Sequence, residues 1–365
     1  MIEASAPGKL YIAGEYAVVE AGHPAIIVAV DQFITVRLTH AENYGSIRSF
    51  QYGELPILWT RQNGELVLDK RENPFHYILE AMNLTERFAK EQGKELSFYE
   101  LTVTSELDNS NGKKYGLGSS GAVTVATVKA LSKYYELNLS KEQIFKIAAL
   151  AHLFVQGNGS CGDIAASVYG GWIAFKTFDR DWVLTKEKEL SLSELLKLDW
   201  PSLSILPLTP PRDLRLIIGW TGSPASTSNL VDKVNDQRKL DVTAYETFLK
   251  NSTNCVNAII EAFQNGDIET IQKQIRVNRQ LLLSMSAKTN VIIETPALKK
   301  LCDLAETFNG AAKSSGAGGG DCGIVVFQQK EGLLPLVTAW EEVGITTLPL
   351  HVFTEKNGTS KNKFS

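Results

Sequence analysis

Three glycine-rich stretches, far apart in the chain, hold the residues best suited to a charged ligand: 7–16 (PGKLYIAGEY), 114–122 (KYGLGSSGA) and 313–323 (KSSGAGGGDCG). The middle stretch runs Lys114-Tyr115-Gly116-Leu117-Gly118-Ser119-Ser120-Gly121-Ala122, and a helical pattern follows it. Glycine lets successive backbone N–H groups converge on one point. The start of a helix adds unpaired N–H donors and a positive partial charge of about half a unit. Together these make a cradle for phosphate. Ser119 and Ser120 add hydroxyls for a phosphate oxygen or for Mg2+. No Gly-Lys-Ser/Thr closes the stretch, so it is not a Walker A loop. Taken alone, it reads equally well as a capped helix start after a loop.

The other two stretches carry their own alternatives. Lys9 is a single cation in an otherwise apolar, strand-like run. An isolated lysine of this kind more often snorkels to the surface than points into a site. Three consecutive glycines, Gly318, Gly319 and Gly320, precede an apolar strand. Their cost in chain entropy fits a close approach of the backbone to a ligand or to another backbone, and a mobile loop is the other reading. A fourth stretch, Gly159-Ser160-Cys161-Gly162-Asp163, puts a carboxylate in the first turn of a short helix. The helix dipole favours it there, with or without a catalytic role.

Regular elements must hold these stretches in place. Residues 25–38 are β-branched and read as one or two strands, and 101–105 as another. Residues 44–69 mix short apolar runs with Gly and Pro and read as strands and loops. A helix is expected over 73–90, with Pro74 in its first turn, and another over 122–135, where Val123, Ala126, Ala130 and Tyr134 recur at helical spacing. Ser140 is the expected N-cap of a helix over 141–154. A short helix should end near Gly170-Gly171. The proline-containing segment 201–211 is the candidate junction between two domains, 1–207 and 208–365. Beyond it come a strand at 214–220, helices over 242–264, 268–286 and 296–308, and a strand at 323–327. Thr295 caps the last of these helices, Pro296 takes its first position, and Gly310 lies past its end. The tail from 355 to 365 is polar and expected to fray.

Composition narrows the function classes. A chain of 365 residues can bury two cores. A hydrophobic share of 44% and a charged share of 21% suit a globular domain rather than a disordered or membrane-spanning one. The net charge of -4 argues against a nucleic-acid partner, which calls for a basic field. Cys161, Cys255, Cys302 and Cys322 form no CxxC pair, and the histidines show no HExxH spacing, so neither a zinc site nor a disulfide framework is indicated. No apolar run reaches the length of about 18 residues that a membrane span needs, and the opening residues do not resemble a secretory signal. A reducing cytosol is the expected compartment.

Taken together and in this order, PGKLYIAGEY, KYGLGSSGAV and KSSGAGGGDCG resemble the three signature motifs of the GHMP kinases. That family includes galactokinase, homoserine kinase, mevalonate kinase and phosphomevalonate kinase, and the resemblance covers nearly the whole chain. It implies an α/β (α+β) fold of two domains, the first like ribosomal protein S5 and the second ferredoxin-like, with both substrates in the cleft between them. It further implies that Lys9 and Asp163 form a catalytic pair. Gly116, Leu117, Gly118, Ser119, Ser120 and Gly121 would surround the ATP phosphates, with Lys114 near them. Gly318 and Gly319 would close over those phosphates, and Asn109 would border the adenine. Mg2+ is the implied cofactor, with Ser120 as its protein contact and water filling most of the shell. The carboxylate that the family often sets on this ion has no counterpart recognisable in the sequence.

Within the family, Gly159-Ser160-Cys161-Gly162-Asp163, the run 219–228 (GWTGSPASTS) and the pair Lys113-Lys114 resemble the phosphomevalonate kinases rather than the mevalonate kinases. The resemblance then implies 5-phosphomevalonate as acceptor beside ATP, with Lys9, Ser160, Thr227, Ser228, Ala317 and Gly318 facing it. A phosphomonoester carries about -1.5 to -2 charge at neutral pH, so it needs cations, and it already has an ionised oxygen ready to attack. Asp163 is therefore expected to orient groups rather than to serve as an obligatory strong base. A mevalonate kinase or another alcohol-accepting GHMP kinase is the alternative within enzymes. A non-catalytic ligand sensor on the same fold is the alternative outside them, and such a sensor would be expected to have lost Lys9, Asp163 or the phosphate loop.

Overall fold

Strands β1 (Ile2–Ala13) and β2 (Pro24–Ala41) form a long antiparallel pair at the centre of the molecule. The computed structural model describes residues 1–49, 55–62, 65–68, 74–107, 115–222, 242–328 and 333–355. The sequence left one or two strands open over 25–38. The structure makes a single strand of 18 residues, long enough to pair with β1, β6 (Phe98–Ser105) and β7 (Trp172–Lys176). With β3 (Gly45–Ser49), β4 (Ile57–Gln62), β5 (Glu65–Leu68) and β8 (Ser204–Leu208) they build an eight-stranded sheet in the order β5-β4-β3-β6-β2-β7-β8, with β1 on β2. Only the β3–β6 pair within it is parallel.

Helices α1 (His76–Glu91), α2 (Ser119–Tyr134), α3 (Lys141–Gln156) and α4 (Gly162–Tyr169) cover this sheet. Helices α2 and α4 lie on β1 and β2, and α1 and α3 pack against α2. Helix α2 starts one turn earlier than its apolar spacing indicated. Gly118 takes the N-cap position at φ 78°, in the left-handed region that glycine enters freely, so Ser119 and Ser120 fall inside the first turn. Helix α3 begins as expected, with a capping box between Ser140 and Gln143.

Two short helices, α5 (Arg180–Glu189) and α6 (Leu192–Leu195), were not foreseen. Their start signals are nevertheless present: Asp179 accepts from the N–H of Trp182, and Ser191 and Glu194 form a second capping box. Segment 201–211 is more ordered than a plain junction, because β8 lies inside it. Pro207 is tolerated there because β8 ends the strand order and its outer edge needs no ladder bond.

The chain leaves the first sheet after Leu208 and enters a second at Arg215. This sheet holds β9 (Arg215–Trp220), β10 (Ala311–Ser314), β11 (Cys322–Phe327) and β12 (Thr346–Leu348) in the order β10-β11-β9-β12, all antiparallel. Helices α7 (Val242–Asn265), α8 (Ile268–Thr289), α9 (Pro296–Thr307) and α10 (Leu333–Glu341) accompany it. Thr295 caps α9 and Pro296 opens it, as their order in the sequence indicated. The last described residues return to the first sheet. Phe353 donates to Ala29 O at 2.9 Å and accepts from the N–H of Gly171 at 2.6 Å. Among the described residues no helix is long and apolar enough to cross a membrane.

The two halves are joined beside β1. Lys313 on β10 forms an ion pair with Glu15, which follows β1, and the side chains are 0% and 2% exposed. Ser315 Oγ donates to Tyr11 O at 2.9 Å, and Tyr16 OH donates to Ala317 O at 2.6 Å. Removing one charge of a buried pair strands the other. Lys313→Met is therefore expected to cost about 3–5 kcal/mol in denaturant unfolding, and Glu15→Gln combined with it should recover most of that loss. A single-variant cost within the ±0.5 kcal/mol or so of ordinary surface substitutions would mean that the pair does not hold the halves together.

Candidate active site

Lys9 lies on β1, and its backbone N–H donates to Leu117 O at 2.8 Å. The surface alternative for Lys9 does not hold: it is buried, and Nζ donates to Gly116 O at 3.3 Å. Burial lowers its pKa from the ordinary lysine value, and the nearby carboxylates Asp163, Asp321 and Glu15 only partly oppose that. The ring of Tyr11, two residues on and so on the same strand face, has its centroid 5.4 Å from Nζ.

The glycines of the middle stretch make room for charged side chains. A Cβ on Gly116 would lie 2.5 Å from Asp321 Oδ2, one on Gly118 would lie 2.8 Å from Lys9 Cε, and one on Gly121 would lie 2.6 Å from Asp163 Oδ2. Gly116 and Gly118 also adopt φ of 76° and 78°. Backbone N–H groups at the start of α2 thus sit beside a lysine and two carboxylates. This geometry belongs to a built site rather than to a helix cap alone.

Asp163 is the second residue of α4, where its Oδ1 accepts from the N–H of Ile164 at 3.0 Å. The ion pair with Lys9 implied by the family resemblance is not closed. Lys9 Nζ is engaged by Gly116 O, while Asp163 Oδ2 stands 3.6 Å from Nε2 of His152. Asp163 acts on Lys9 through space, as the largest of the influences opposing burial. Ser160 Oγ meets Tyr11 OH at 2.9 Å and accepts from the N–H of Gly162 at 3.2 Å. Gly162 must be small, because a Cβ there would lie 2.4 Å from Tyr11 OH. Burial pushes the Tyr11 phenol well up, so it stays a neutral donor.

Ser120 Oγ lies 3.4 Å from His152 Nε2. In the third stretch, Gly319 N–H donates to Ile293 O at 2.7 Å, and a Cβ on Gly318 would lie 2.3 Å from the same oxygen. These glycines serve a close approach to another backbone, and the mobile-loop alternative is not what the structure holds. Gly316 N–H donates to Glu15 Oε1 at 3.3 Å. The structure thus gathers Lys9, Gly116, Leu117, Gly118, Ser120, Gly121, Ser160 and Asp163 around one place, with Ala317 tied to it through Tyr16. Asn109, Lys113, Lys114, Thr227 and Ser228 lie outside the described residues.

Sequence reasoning missed His152, Tyr11, Asp321 and the pairing of Glu15 with Lys313. Tyr11 was available from strand alternation with Lys9. His152 carries no spacing signal and becomes visible only when α3 packs beside α2 and α4. His23, just past the first stretch, bonds Thr253 Oγ1 at 2.7 Å. Among the described residues no cluster of three His, Cys, Asp or Glu side chains could hold a metal ion.

Comparison with known proteins identifies the family. Residues 76–171 match the description "GHMP kinases N terminal domain" and residues 259–345 match "GHMP kinases C terminal". The phosphomevalonate kinase of Streptomyces sp. (strain CL190) is 38% identical over 357 residues, covering 94% of this chain and 95% of that one. The chain belongs to the GHMP kinase family, and its two-domain α/β fold is the fold of that family. Among solved structures, the Lin0012 protein of Listeria innocua superposes with TM-score 0.91 at 43% identity, covering 97% of this chain and 98% of that one. The phosphomevalonate kinase of Streptococcus pneumoniae, in complex with phosphomevalonate and AMPPNP, superposes with TM-score 0.85 at 31% identity, covering 97% of this chain and 100% of that one.

Gly118→Ala tests the packing of this site apart from its chemistry. A non-glycine residue in the left-handed region costs about 1–2 kcal/mol, and here the new methyl also strikes Lys9. The expected outcome is a stability loss of at least about that size in urea unfolding, with Lys9→Ala in the same chain easing part of it. A fully additive pair would mean that Gly118 and Lys9 do not touch.

Proposed function

We propose that this chain transfers the γ-phosphoryl group of ATP to the phosphate of 5-phosphomevalonate, giving 5-diphosphomevalonate and ADP. The observation that carries this reading is the meeting of Lys9, Asp163 and the 116–121 turn in one place. It occurs in a chain that is 38% identical, over 94% of its length, to a phosphomevalonate kinase. In the reaction, an oxygen of the acceptor phosphate forms a bond to the γ-phosphorus, and the bond from that phosphorus to the bridging oxygen of ADP breaks. Phosphoryl transfer asks the protein mostly for positioning and charge stabilisation.

The residues divide that work as follows. Backbone N–H groups at the start of α2, from Ser119 to Gly121, receive the ATP phosphates, and the family resemblance assigns Lys114 to the same phosphates. Lys9 neutralises charge on the transferring group. By the family resemblance, Gly318 and Gly319 are assigned to close over the ATP phosphates and Asn109 to border the adenine. Ser160, braced by Tyr11, faces the acceptor together with Thr227, Ser228 and Ala317. Asp163 orients Lys9 and the acceptor. The two catalytic halves are the segments 1–207 and 208–365. The four cysteines are free and buried, which suits a reducing cytosol.

Ser120 and Asp163 flank His152, so the site offers one hydroxyl and one carboxylate to a cation rather than a complete cage. That donor set fits Mg2+ brought in by the nucleotide, with phosphate and water completing its shell. Bound there, Mg2+ supplies neutralisation of the β- and γ-phosphate charge.

The decisive assay follows ADP release from Mg2+-ATP with phosphomevalonate, mevalonate, homoserine and galactose offered separately. Selective turnover of phosphomevalonate is the expected result. Turnover of mevalonate would overturn the acceptor assignment, and silence with intact ATP binding would favour a sensor.

The pH profile of kcat/KM, which reports the free enzyme and the free substrate, adds a second test. The pKa of Lys9 is lowered from 10.5, so its protonated form is lost as pH rises through a value below that figure. The alkaline limb should fall below pH 10.5 in the parent chain and move upward in Lys9→Arg. The acid limb should persist in Asp163→Asn, because the acceptor phosphate itself titrates near pH 6. Its disappearance there would make Asp163 the base.

A further inference from the structure

Helix α3 carries one polar group into the site that none of the assignments above uses. His152 is buried, and its Nε2 lies 3.4 Å from Ser120 Oγ and 3.6 Å from Asp163 Oδ2. These two groups come from different elements, α2 and α4, and His152 on α3 reaches both; Tyr77 on α1 also hydrogen-bonds Ser120 and lies within the field of Asp163. Its other nitrogen, Nδ1, is buried with no hydrogen-bond partner among the described residues. The ring is clamped by Tyr77 on α1, at 4.9 Å between centroids and 31° between planes, and Tyr77 OH donates to Gln156 Oε1 at 3.3 Å.

We infer that His152 is a positioning residue, whose Nε2–H sets the Ser120 hydroxyl and the Asp163 carboxylate in register with each other. The inference rests on the phosphoryl-transfer reading of this site. The chemistry fixes the tautomer. A carboxylate only accepts hydrogen bonds, so the nitrogen that faces Asp163 carries the proton. Nδ1, with nothing to donate to, is left bare. Accepting the imidazole N–H occupies one lone pair of Ser120 Oγ, and the other lone pair and the hydroxyl proton remain for the cation or phosphate. Both contacts are long, which is usual in a ligand-free site that tightens around its substrates. Packing sets the ring plane: Tyr77 on one side leaves the imidazole little freedom to turn away.

Three variants test this. Gln places an amide N–H near the position of Nε2, Asn places one near Nδ1, and Leu removes the donor at similar volume. His152→Leu should lower kcat about 10–100-fold, the usual range for residues that orient the groups around a bound cation. The KM values for ATP and phosphomevalonate should stay within about threefold. His152→Gln should regain most of the lost kcat and His152→Asn should not. If His152→Leu fails to fold, the ratio of the Gln to the Asn variant still decides. Equal rates in those two would overturn the inference. So would a Leu variant of parental kcat, or a rise in KM with kcat unchanged. Nitrogen-15 NMR of the imidazole gives a readout that does not depend on the acceptor, with the His152 signal assigned by its loss in the Gln variant. A proton on Nε2 and a bare Nδ1 are expected, and the opposite tautomer would overturn the inference even if phosphomevalonate is turned over. Failure of phosphomevalonate turnover with the expected tautomer would instead count against the acceptor reading.

Discussion

The buried ion pair between Glu15 and Lys313 is the constraint on which the arrangement of the site depends. A charge taken out of water is costly unless it is paired and hydrogen-bonded. Lys313 on β10 therefore cannot leave Glu15, and Glu15 cannot leave the end of β1. Because Glu15 Oε1 also accepts from the N–H of Gly316, the pair fixes the entry to the third glycine stretch. Tyr16 OH on Ala317 O and Ser315 Oγ on Tyr11 O extend the same seam. Segments some 300 positions apart, as in the 301 between Tyr16 and Ala317, thus become neighbours with a set register. Lys9 stands six residues before Glu15 on the strand side of this seam and inherits its position from it.

The second organising fact is electrostatic. Asp163, Asp321 and Glu15 all act on Lys9, yet burial still lowers its pKa. Its Nζ is turned to the carbonyl of Gly116 rather than closed onto a carboxylate. A cation held this way is organised before any substrate arrives, and it can meet a developing phosphate charge without first breaking a salt bridge. Such preorganised charge in a poorly hydrated place is a large contributor to catalysis. The glycines at 116, 118 and 121 allow it, because each leaves space that a neighbouring Asp321, Lys9 or Asp163 fills. Their requirement is steric as much as conformational.

Much of this was legible in the sequence, and what was not has a physical reason. Helix α3 with its Ser140 cap, α9 with Thr295 and Pro296, and strand β11 are local features, so local signals reveal them. The start of α2 was read one turn late because apolar spacing says nothing about a left-handed glycine N-cap. Strand β8 was hidden because a proline usually argues against a strand, and only an edge position excuses it. The three glycine stretches could be recognised as a set, but not what each glycine touches. Gly118 against Lys9 and Gly121 against Asp163 are contacts between distant segments, and no periodicity encodes them. His152 was invisible for the same reason. Its role exists only where α2, α3 and α4 meet.

That meeting point also bears on how the acceptor is chosen. An alcohol acceptor must lose a proton as it attacks, which calls for a base with free access to it. Here Asp163 Oδ1 accepts from the N–H of Ile164, and Oδ2 lies 3.6 Å from His152 Nε2. The Ile164 N–H restrains the side chain at Oδ1. A phosphate acceptor makes no such demand, since its oxygen is already ionised near neutral pH. What it does demand is cationic surroundings to offset the repulsion between two phosphate groups, and Lys9 is buried within reach of the 116–121 turn. The restrained carboxylate and the open lysine are two sides of one design, suited to bringing anions together rather than to deprotonating a hydroxyl.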